Sequence, residues 1–194
     1  MRLTPDMNRQ YTYADYLQWF DEKRRELING FIRIMSSPAT THAEVANDLN
    51  VTLYNFVKRR SGKCKVFVAP FDVRLPKNGE KDDDKIFSVV QPDIVVVCDP
   101  SKIDEKGCLG APDMVVEVLS PSTRKYDLND KFNLYEASGV KEYWTVAPAD
   151  KDVTVFLLQE DGRYAEGVIY RSGAKIPVQT LPGLEVDTDE LFAR

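Results

Sequence analysis

Histidine and cysteine are scarce in this sequence, and their scarcity limits the metal sites and cross-links that it can form. The 194 residues include one histidine, His42, and three cysteines, Cys64, Cys98 and Cys108. A zinc site built from several histidines is therefore excluded, whereas an oxygen-ligated site for magnesium or manganese is not. No two cysteines have the Cys-x-x-Cys spacing, and an odd, scattered set predicts unpaired thiols in a reducing compartment.

Long apolar runs and an excess of basic residues are also missing. No run approaches the roughly 20 residues that span a bilayer, and the N-terminus lacks the apolar segment of a signal peptide, which predicts a cytoplasmic protein without membrane contact. The net charge of -5 argues against broad, non-specific binding to nucleic acid, but basic clusters at 58–60 and 124–125 leave room for a local phosphate site. The length and a hydrophobic fraction of 43% are typical of one globular domain, 1–194.

Two short apolar runs, Gln91–Val97 and Pro112–Ser120, each contain a carboxylate that an ordinary core would not hold. Their β-branched content predicts interior strands, where an ionised carboxylate is costly unless it is paired, hydrogen-bonded or bound to a metal. Asp93 and Glu117 lie in different strands and can share one ion, whereas Asp113 is about 13 Å from Glu117 along a strand. The sequence therefore predicts a magnesium or manganese site at Asp93 and Glu117, beside which a lysine would stabilise phosphoryl charge.

The order of the elements predicts an α/β fold with a mixed sheet. One helix is expected from a Thr41–Glu44 capping box to about Arg60, and another from Asp127 to Ser138, ended by Gly139. The other predicted elements are a helix at 11–20 capped by Thr12, a hairpin at 26–34 with an Asn29-Gly30 turn, strands at 66–75, 89–97, 113–120 and 141–147, a hairpin at 153–170, and a closing strand and helix at 181–192. The core order is then helix-strand-strand-strand-helix-strand, with a right-handed crossover that makes the last two strands parallel.

These elements carry a resemblance to a known group of proteins. Pro92-Asp93, followed by Glu117-Val118-Leu119 in this order of strands and helices, resembles the PD-(D/E)XK nuclease superfamily. Five segments are more narrowly similar to the Uma-two family of endonucleases: 26–30, 37–42, 112–123, Asp127 with Lys131, and 139–144. The resemblance covers nearly the whole chain.

The resemblance implies a restriction-endonuclease-like core and a nuclease that hydrolyses phosphodiester bonds, chiefly as a DNA endonuclease. Asp93, Glu117 and the carbonyl of Val118 are then expected to hold Mg²⁺ or Mn²⁺. A homodimer is also expected, because cleavage of both strands of a duplex usually needs two sites.

One position departs from the superfamily pattern. The usual lysine, two residues after the glutamate and on the same strand face, is replaced by Leu119. The resemblance implies that the lysine has moved to the following helix, where Lys131 lies at the edge of the apolar stripe. An exposed ion pair with Asp127, four residues earlier, is the alternative explanation for Lys131.

Four further residues are second-tier candidates, and each has an ordinary explanation. Glu44 is either the acid of a capping box or an additional helix ligand. His42 is either a satisfied, partly buried histidine or a support for the metal ligands. Glu26 lies near a hairpin turn, where a surface acid is common, and Asp127 is the possible partner of Lys131.

Other classes of function stay open. The missing lysine and the acidic balance suit a catalytically inactive nuclease fold that serves nucleic-acid binding or protein assembly. Two carboxylates with perturbed pKa values suit a small-molecule acid/base enzyme, whose activity would survive a chelator. Ser120 and Ser122 lack an evident base, so a serine nucleophile is the weakest interpretation.

Overall fold

The computed structural model describes residues 5–19, 21, 23–35, 37–60, 62–121 and 124–193. This part of the chain contains one long helix and several short ones. The helices are α1 (Tyr13–Tyr16), α2 (Thr40–Arg59), α3 (Arg124–Tyr126), α4 (Phe132–Ser138) and α5 (Thr188–Leu191), with a π-helical turn (Asp127–Lys131) between α3 and α4 and 3-10 turns at Asp83–Lys85 and Pro100–Lys102. Within these residues, no helix combines the length and apolar composition needed to span a bilayer. The predicted helix end at Phe20 and the candidate Ser122 lie outside the described residues.

The strands are mostly short. They are β1 (Arg25–Ile28), β2 (Phe31–Ile34), β3 (Lys65–Val68), β4 (Val73–Arg74), β5 (Val89–Val90), β6 (Ile94–Val97), β7 (Ile103–Asp104), β8 (Gly107–Leu109), β9 (Met114–Val118), β10 (Glu142–Ala147), β11 (Asp152–Leu157), β12 (Val168–Tyr170), β13 (Lys175–Pro177) and β14 (Glu185–Asp187). β13 and β14 form a separate antiparallel pair near the C-terminus.

A mixed sheet with the strand order β12-β11-β10-β9-β6-β3 forms the centre of the fold. Its neighbouring strands are antiparallel except for β9 and β10, which are parallel because the chain returns between them through α3 and α4. The predicted core order is confirmed as α2-β3-β6-β9-α4-β10.

Helices cover both faces of this sheet. Leu49 and Leu53 of α2 pack in one hydrophobic cluster with Val116, whereas Tyr135 of α4 packs in a second cluster with Val115. Successive side chains of β9 therefore point to opposite faces, as strand geometry requires. Glu117 has the same parity as Val115, so its side chain lies on the α4 face.

A second sheet, with the order β2-β1-β5-β4-β8-β7, was not expected. The runs predicted as single strands at 66–75 and 89–97 are each divided between the two sheets, as β3 with β4 and β5 with β6. The prediction was wrong because each run contains a proline, Pro70 or Pro92, at which the chain leaves one sheet for the other. This division places Asp93 immediately before β6.

Local capping signals had mixed outcomes. Thr12 caps α1 in a capping box with Asp15, and Gly139, at φ 85°, ends α4 as predicted. The capping box at Thr41 is wrong, because the N-cap of α2 is Ala39, two residues earlier, and it makes no side-chain capping bond.

The prediction of unpaired cysteines is wrong for two of the three. Lys65 pairs with Val97 in the antiparallel β3–β6 register, and the next step of this register sets Cys64 opposite Cys98, where they form a disulfide. A spacing of 34 residues gave no sequence signal for this pairing. Cys108 is a free, buried cysteine, and its burial raises the pKa of the thiol to about 11.

Candidate active site

A cavity of about 470 Å³ opens at the carboxyl end of β9, between the β1–β2 hairpin, the start of α2 and the π-helical turn. Most of the residues predicted from the sequence line it together: Glu26, His42, Asp93, Glu117, Val118, Asp127 and Lys131. Glu44 does not line it and is exposed on α2. Ser120, two residues beyond the end of β9, also lines it.

The strand register brings the two predicted metal ligands together. Ile94 pairs with Val116 in the antiparallel β6–β9 ladder, so the next step sets Asp93 opposite Glu117. Residues directly opposite each other in such a ladder have Cβ atoms about 5 Å apart. The backbone N–H of Val118 donates a 2.7 Å hydrogen bond to Oδ2 of Asp93, which fixes this carboxylate beside the end of β9.

Lys131 points into the site. Its Nζ donates to Oε1 of Glu117 at 2.8 Å, and the hydroxyl of Tyr135 donates to the same oxygen at 2.6 Å. Lys131 is 2% exposed, so the exposed ion pair considered for it does not occur. The position two residues after Glu117 holds the apolar Leu119, and the ammonium reaches the glutamate from the helix instead.

A π-helical turn supplies this lysine. Such turns are rare, usually occur as single widened turns within α-helices, and are frequent at functional sites. Here the turn contains both Asp127 and Lys131, and both side chains are buried. Oδ1 of Asp127 lies 3.8 Å from Nζ of Lys131, so the two point to the same side of the helix.

Glu26 is more central than its place near a hairpin turn suggested. It is 2% exposed, and its Oε1 lies 2.9 Å from Nζ of Lys131 and accepts a 2.8 Å hydrogen bond from the backbone N–H of Gln91. Its Oε2 accepts a hydrogen bond from the hydroxyl of Tyr126 at 3.3 Å. The one sequence signal for this position was its membership of the 26–30 segment in the family resemblance.

The site contains more acid than base, and this imbalance shifts its pKa values. Burial raises the pKa of Glu117 well above its usual range, and Asp127, Asp93 and Glu26 raise it further against the opposing effect of Lys131. Burial alone would lower the pKa of Lys131, but the adjacent carboxylates outweigh it and raise that pKa well above its usual value. Lys131 is therefore a protonated cation at neutral pH.

His42 supports Asp93 from the first turn of α2. Its Nε2 lies 3.1 Å from Oδ1 of Asp93, and this hydrogen bond raises the pKa of the imidazole although burial opposes it. Nδ1 is buried and makes no hydrogen bond to the residues that the structure describes. This contact places His42 beside Asp93, and its role as a support for a metal ligand stays a prediction.

The donor chemistry of the cavity fits a hard divalent cation. Across the described ranges, no cluster of three or more His, Cys, Asp or Glu side chains has the arrangement of metal ligands. Magnesium, however, commonly takes one or two carboxylates and keeps several waters. The carboxylates of Asp93 and Glu117 provide such a pair, because Lys131 and Tyr135 both bond to Oε1 of Glu117 and leave Oε2 to other partners.

Comparisons with known proteins agree with this architecture. A protein of Synechocystis sp., described as "Uncharacterized protein slr1290", is 24% identical over 181 residues, which are 92% of this chain and 89% of that protein. A crystal structure from Anabaena variabilis, described as "a putative nuclease belonging to DUF820", superposes with a TM-score of 0.74 at 22% identity, covering 94% of this chain and 98% of that one. This likeness shows a restriction-endonuclease-like fold.

The model of the Uma2 family, described as "Putative restriction endonuclease", matches residues 13–189. The match includes the β1–β2 hairpin, α2, the whole central sheet and every described residue that lines the cavity. The chain belongs to the Uma2 family.

Proposed function

We propose that this protein is a metal-dependent endonuclease that hydrolyses phosphodiester bonds in DNA. The observation that carries the proposal is the meeting of Asp93, Glu117 and the ammonium of Lys131 in one cavity, from three different elements. Membership of a family described in terms of restriction endonucleases, and a solved neighbour described as a nuclease, support the same class of reaction.

The proposed metal ligands are the carboxylates of Asp93 and Glu117 and the backbone carbonyl of Val118. Mg²⁺ or Mn²⁺ bound there would neutralise charge on the phosphoryl oxygens and lower the pKa of an attacking water. His42 and the N–H of Val118 hold the Asp93 carboxylate in place from two sides, so that it is oriented before a ligand arrives.

Lys131 stabilises the negative charge that develops on the phosphoryl oxygens and positions the attacking water. Its ammonium lies between Glu117 and Glu26, at 2.8 and 2.9 Å, and these contacts fix a side chain that is otherwise flexible. A buried, fixed cation stabilises a transition state more effectively than a solvated one, because it needs little reorganisation during the reaction. Lys131 in this role replaces the lysine that the superfamily places at the position of Leu119.

Cleavage of supercoiled plasmid DNA with Mg²⁺ or Mn²⁺ tests the proposal. Glu117→Gln should reduce the rate by about 10³-fold, because the metal supplies several kcal/mol of transition-state stabilisation. A chelator should abolish cleavage by the unaltered protein. Equal rates for the unaltered protein and Glu117→Gln, or activity that survives the chelator, would contradict the proposal.

A homodimer belongs to the same proposal, because cutting both strands of a duplex calls for two such sites. Light scattering on the purified protein should give twice the 22.1 kDa mass of the chain, and a monomer at assay concentrations would contradict this part. The cytoplasmic location stays a prediction from the sequence.

A further inference from the structure

The β1–β2 hairpin presents two arginines to the cavity on the same face as Glu26. Arg33 pairs directly with Glu26 across the hairpin, and directly opposed residues share a face. Arg24 precedes Glu26 by two positions and so lies on that face as well. Arg24, Glu26 and Arg33 all line the cavity, whereas Arg25 points away and binds Asp21.

The net charge of the cavity lining shows why these two arginines are needed to bind a phosphate. Among the residues that the structure describes, four carboxylates line the cavity, those of Glu26, Asp93, Glu117 and Asp127, together with one ammonium, that of Lys131. One divalent cation leaves this group of charges at about -1, so an anionic DNA strand still meets net repulsion. Arg24 and Arg33 are the further lysine or arginine side chains on the described lining, and they reverse the sign.

We propose that Arg24 and Arg33 bind phosphates that flank the scissile one, so that the substrate is a DNA strand of several nucleotides and not an isolated phosphodiester. This inference rests on the proposed nuclease function and assigns to the hairpin the role of gripping the strand. Arginine suits the role because its planar fork makes two parallel hydrogen bonds to a phosphate.

The two arginines are held differently. Arg24 donates from Nε and Nη2 to Oε1 of Gln91, at 3.2 and 3.0 Å, so its guanidinium is fixed to the segment that leads to Asp93. Arg33 is 56% exposed, and its ion pair with Asp130 is long at 3.4 Å. Exposed pairs of this kind contribute little to stability, so a phosphate readily replaces Asp130.

Arg33 is also positioned by an aromatic ring. Its guanidinium carbon lies 5.5 Å from the centre of the Tyr126 ring, and the Tyr126 hydroxyl bonds to Glu26. This cation–π contact holds the guanidinium beside the cavity, while the side chain as a whole remains exposed. Arg24, which is fixed, and Arg33, which is exposed, thus lie on the hairpin side of the path along which the DNA strand would run.

The experiment measures binding of a fluorescent DNA oligonucleotide by anisotropy over a series of salt concentrations, with Ca²⁺ in place of Mg²⁺. Arg33→Gln and Arg24→Gln should each weaken binding by roughly tenfold. Each should also reduce the slope of log K against log salt by about 0.7–0.9, the loss expected for one phosphate contact. Arg33→Lys should retain most of the slope, because it keeps the charge.

Arg171→Gln, an exposed arginine outside the cavity, is the matched control and should change neither quantity. Arg33→Gln is the decisive variant because the exposed side chain of Arg33 contributes little to folding. Circular dichroism checks that Arg33→Gln and Arg24→Gln keep the native fold. Unchanged affinity and slope in Arg33→Gln, or an equal change in Arg171→Gln, would overturn the inference, as would the absence of oligonucleotide binding by the unaltered protein.

Cleavage assays separate this inference from the proposed function. The loss of kcat/KM in Arg33→Gln should be at least about tenfold larger on the oligonucleotide than on bis(p-nitrophenyl) phosphate, which has no flanking phosphate. Equal losses on both substrates would overturn the inference while the nuclease function stands. Binding that depends on Arg24 and Arg33 in a protein that cleaves neither substrate would support the strand-binding role of the two arginines and contradict the nuclease function.

Discussion

Asp113 and Glu117 are two buried carboxylates at opposite ends of one strand, and their surroundings differ. Asp113 accepts a 2.7 Å hydrogen bond from the N–H of Cys98 and a 2.8 Å bond from Lys141, whose side chain is 72% exposed. Glu117 instead bonds to a buried lysine that it shares with other acids, and it lines a cavity.

The difference shows what separates a structural acid from a candidate catalytic one on the same strand. Asp113 has a backbone donor and a surface cation of its own, so its charge is compensated locally and serves to anchor the strand. Glu117 shares one ammonium with Glu26 and Asp127, and an unfavourable excess of buried acid of this kind is typical of functional sites. Burial in an apolar run is common to both, so it does not discriminate between them.

The contrast between Asp113 and Glu117 predicts that the largest effect of substitution is on the rate of DNA cleavage. Asp93→Asn should lower the rate by about 10³-fold, whereas Asp113→Asn should change it by less than about threefold, because only Asp93 lies opposite Glu117. Initial rates on plasmid DNA with Mn²⁺ measure both variants. A comparable loss in Asp113→Asn, with the fold intact, would remove the distinction between the two ends of β9.

The two lysines should differ most in stability. Lys131→Met leaves buried carboxylates without their cation and should lower the free energy of unfolding by about 3–5 kcal/mol. Lys141→Met removes a solvated partner and should cost no more than about 1 kcal/mol. Urea unfolding of both variants gives the values, and equal stabilities would show that the acids at the Glu117 end are compensated by other means.

The disulfide lies at the Asp113 end, since the N–H of Cys98 bonds to Asp113. The double variant Cys64→Ser with Cys98→Ser should lose about 3 kcal/mol of stability through the greater freedom of the unfolded chain. Cleavage at a temperature where the variant remains folded should be unchanged, because the disulfide is remote from the cavity. Thermal unfolding and plasmid cleavage, measured side by side, check both statements, and lost cleavage in the folded variant would contradict the second.

The smallest expected difference concerns single hydroxyl groups. Tyr135→Phe removes a 2.6 Å bond to Glu117 and should cost about 1–3 kcal/mol, as expected for a hydrogen bond to a charged group. Thr180→Val removes a 3.4 Å bond to the backbone oxygen of Asp113 and should cost less than about 1 kcal/mol. Denaturant midpoints at constant slope compare the two variants, and the reverse order would contradict the greater dependence of Glu117 on its buried hydrogen-bond partners.

The sequence predicted those parts of the fold that depend on neighbours along the chain. Residues such as Leu49 and Leu53 recur at helical spacing, and Asn29-Gly30 adopts the positive φ angles of a tight turn, so α2 and the β1–β2 hairpin were predictable. The second sheet was not, because Val89 and Val90 look like a continuation of β6 until pairing with β1 and β4 decides their sheet.

The candidate site was predictable to the same degree. Asp93 and Glu117 contradict the apolar pattern around them, and this local conflict made them visible. Glu26 has no such conflict, and its burial depends on Gln91 and Tyr126, which are 65 and 100 residues away in the chain. The Cys64–Cys98 bond likewise depends on a strand register that no local spacing reveals.

The widened turn at 127–131 separates two tasks within a single helical segment. Successive residues of a regular α-helix differ by about 100° in direction, so a helix whose Tyr135 packs against the sheet would fix the direction of every earlier side chain. The extra residue in the π-helical turn changes the angle between the side chains before it and those after it. The amine of Lys131 can therefore point into the cavity while Tyr135 keeps its packing against the sheet. Loss of one residue from the turn would therefore rotate α3 relative to α4. The number of residues that each relative has at this turn would show which relatives keep the lysine in the same direction.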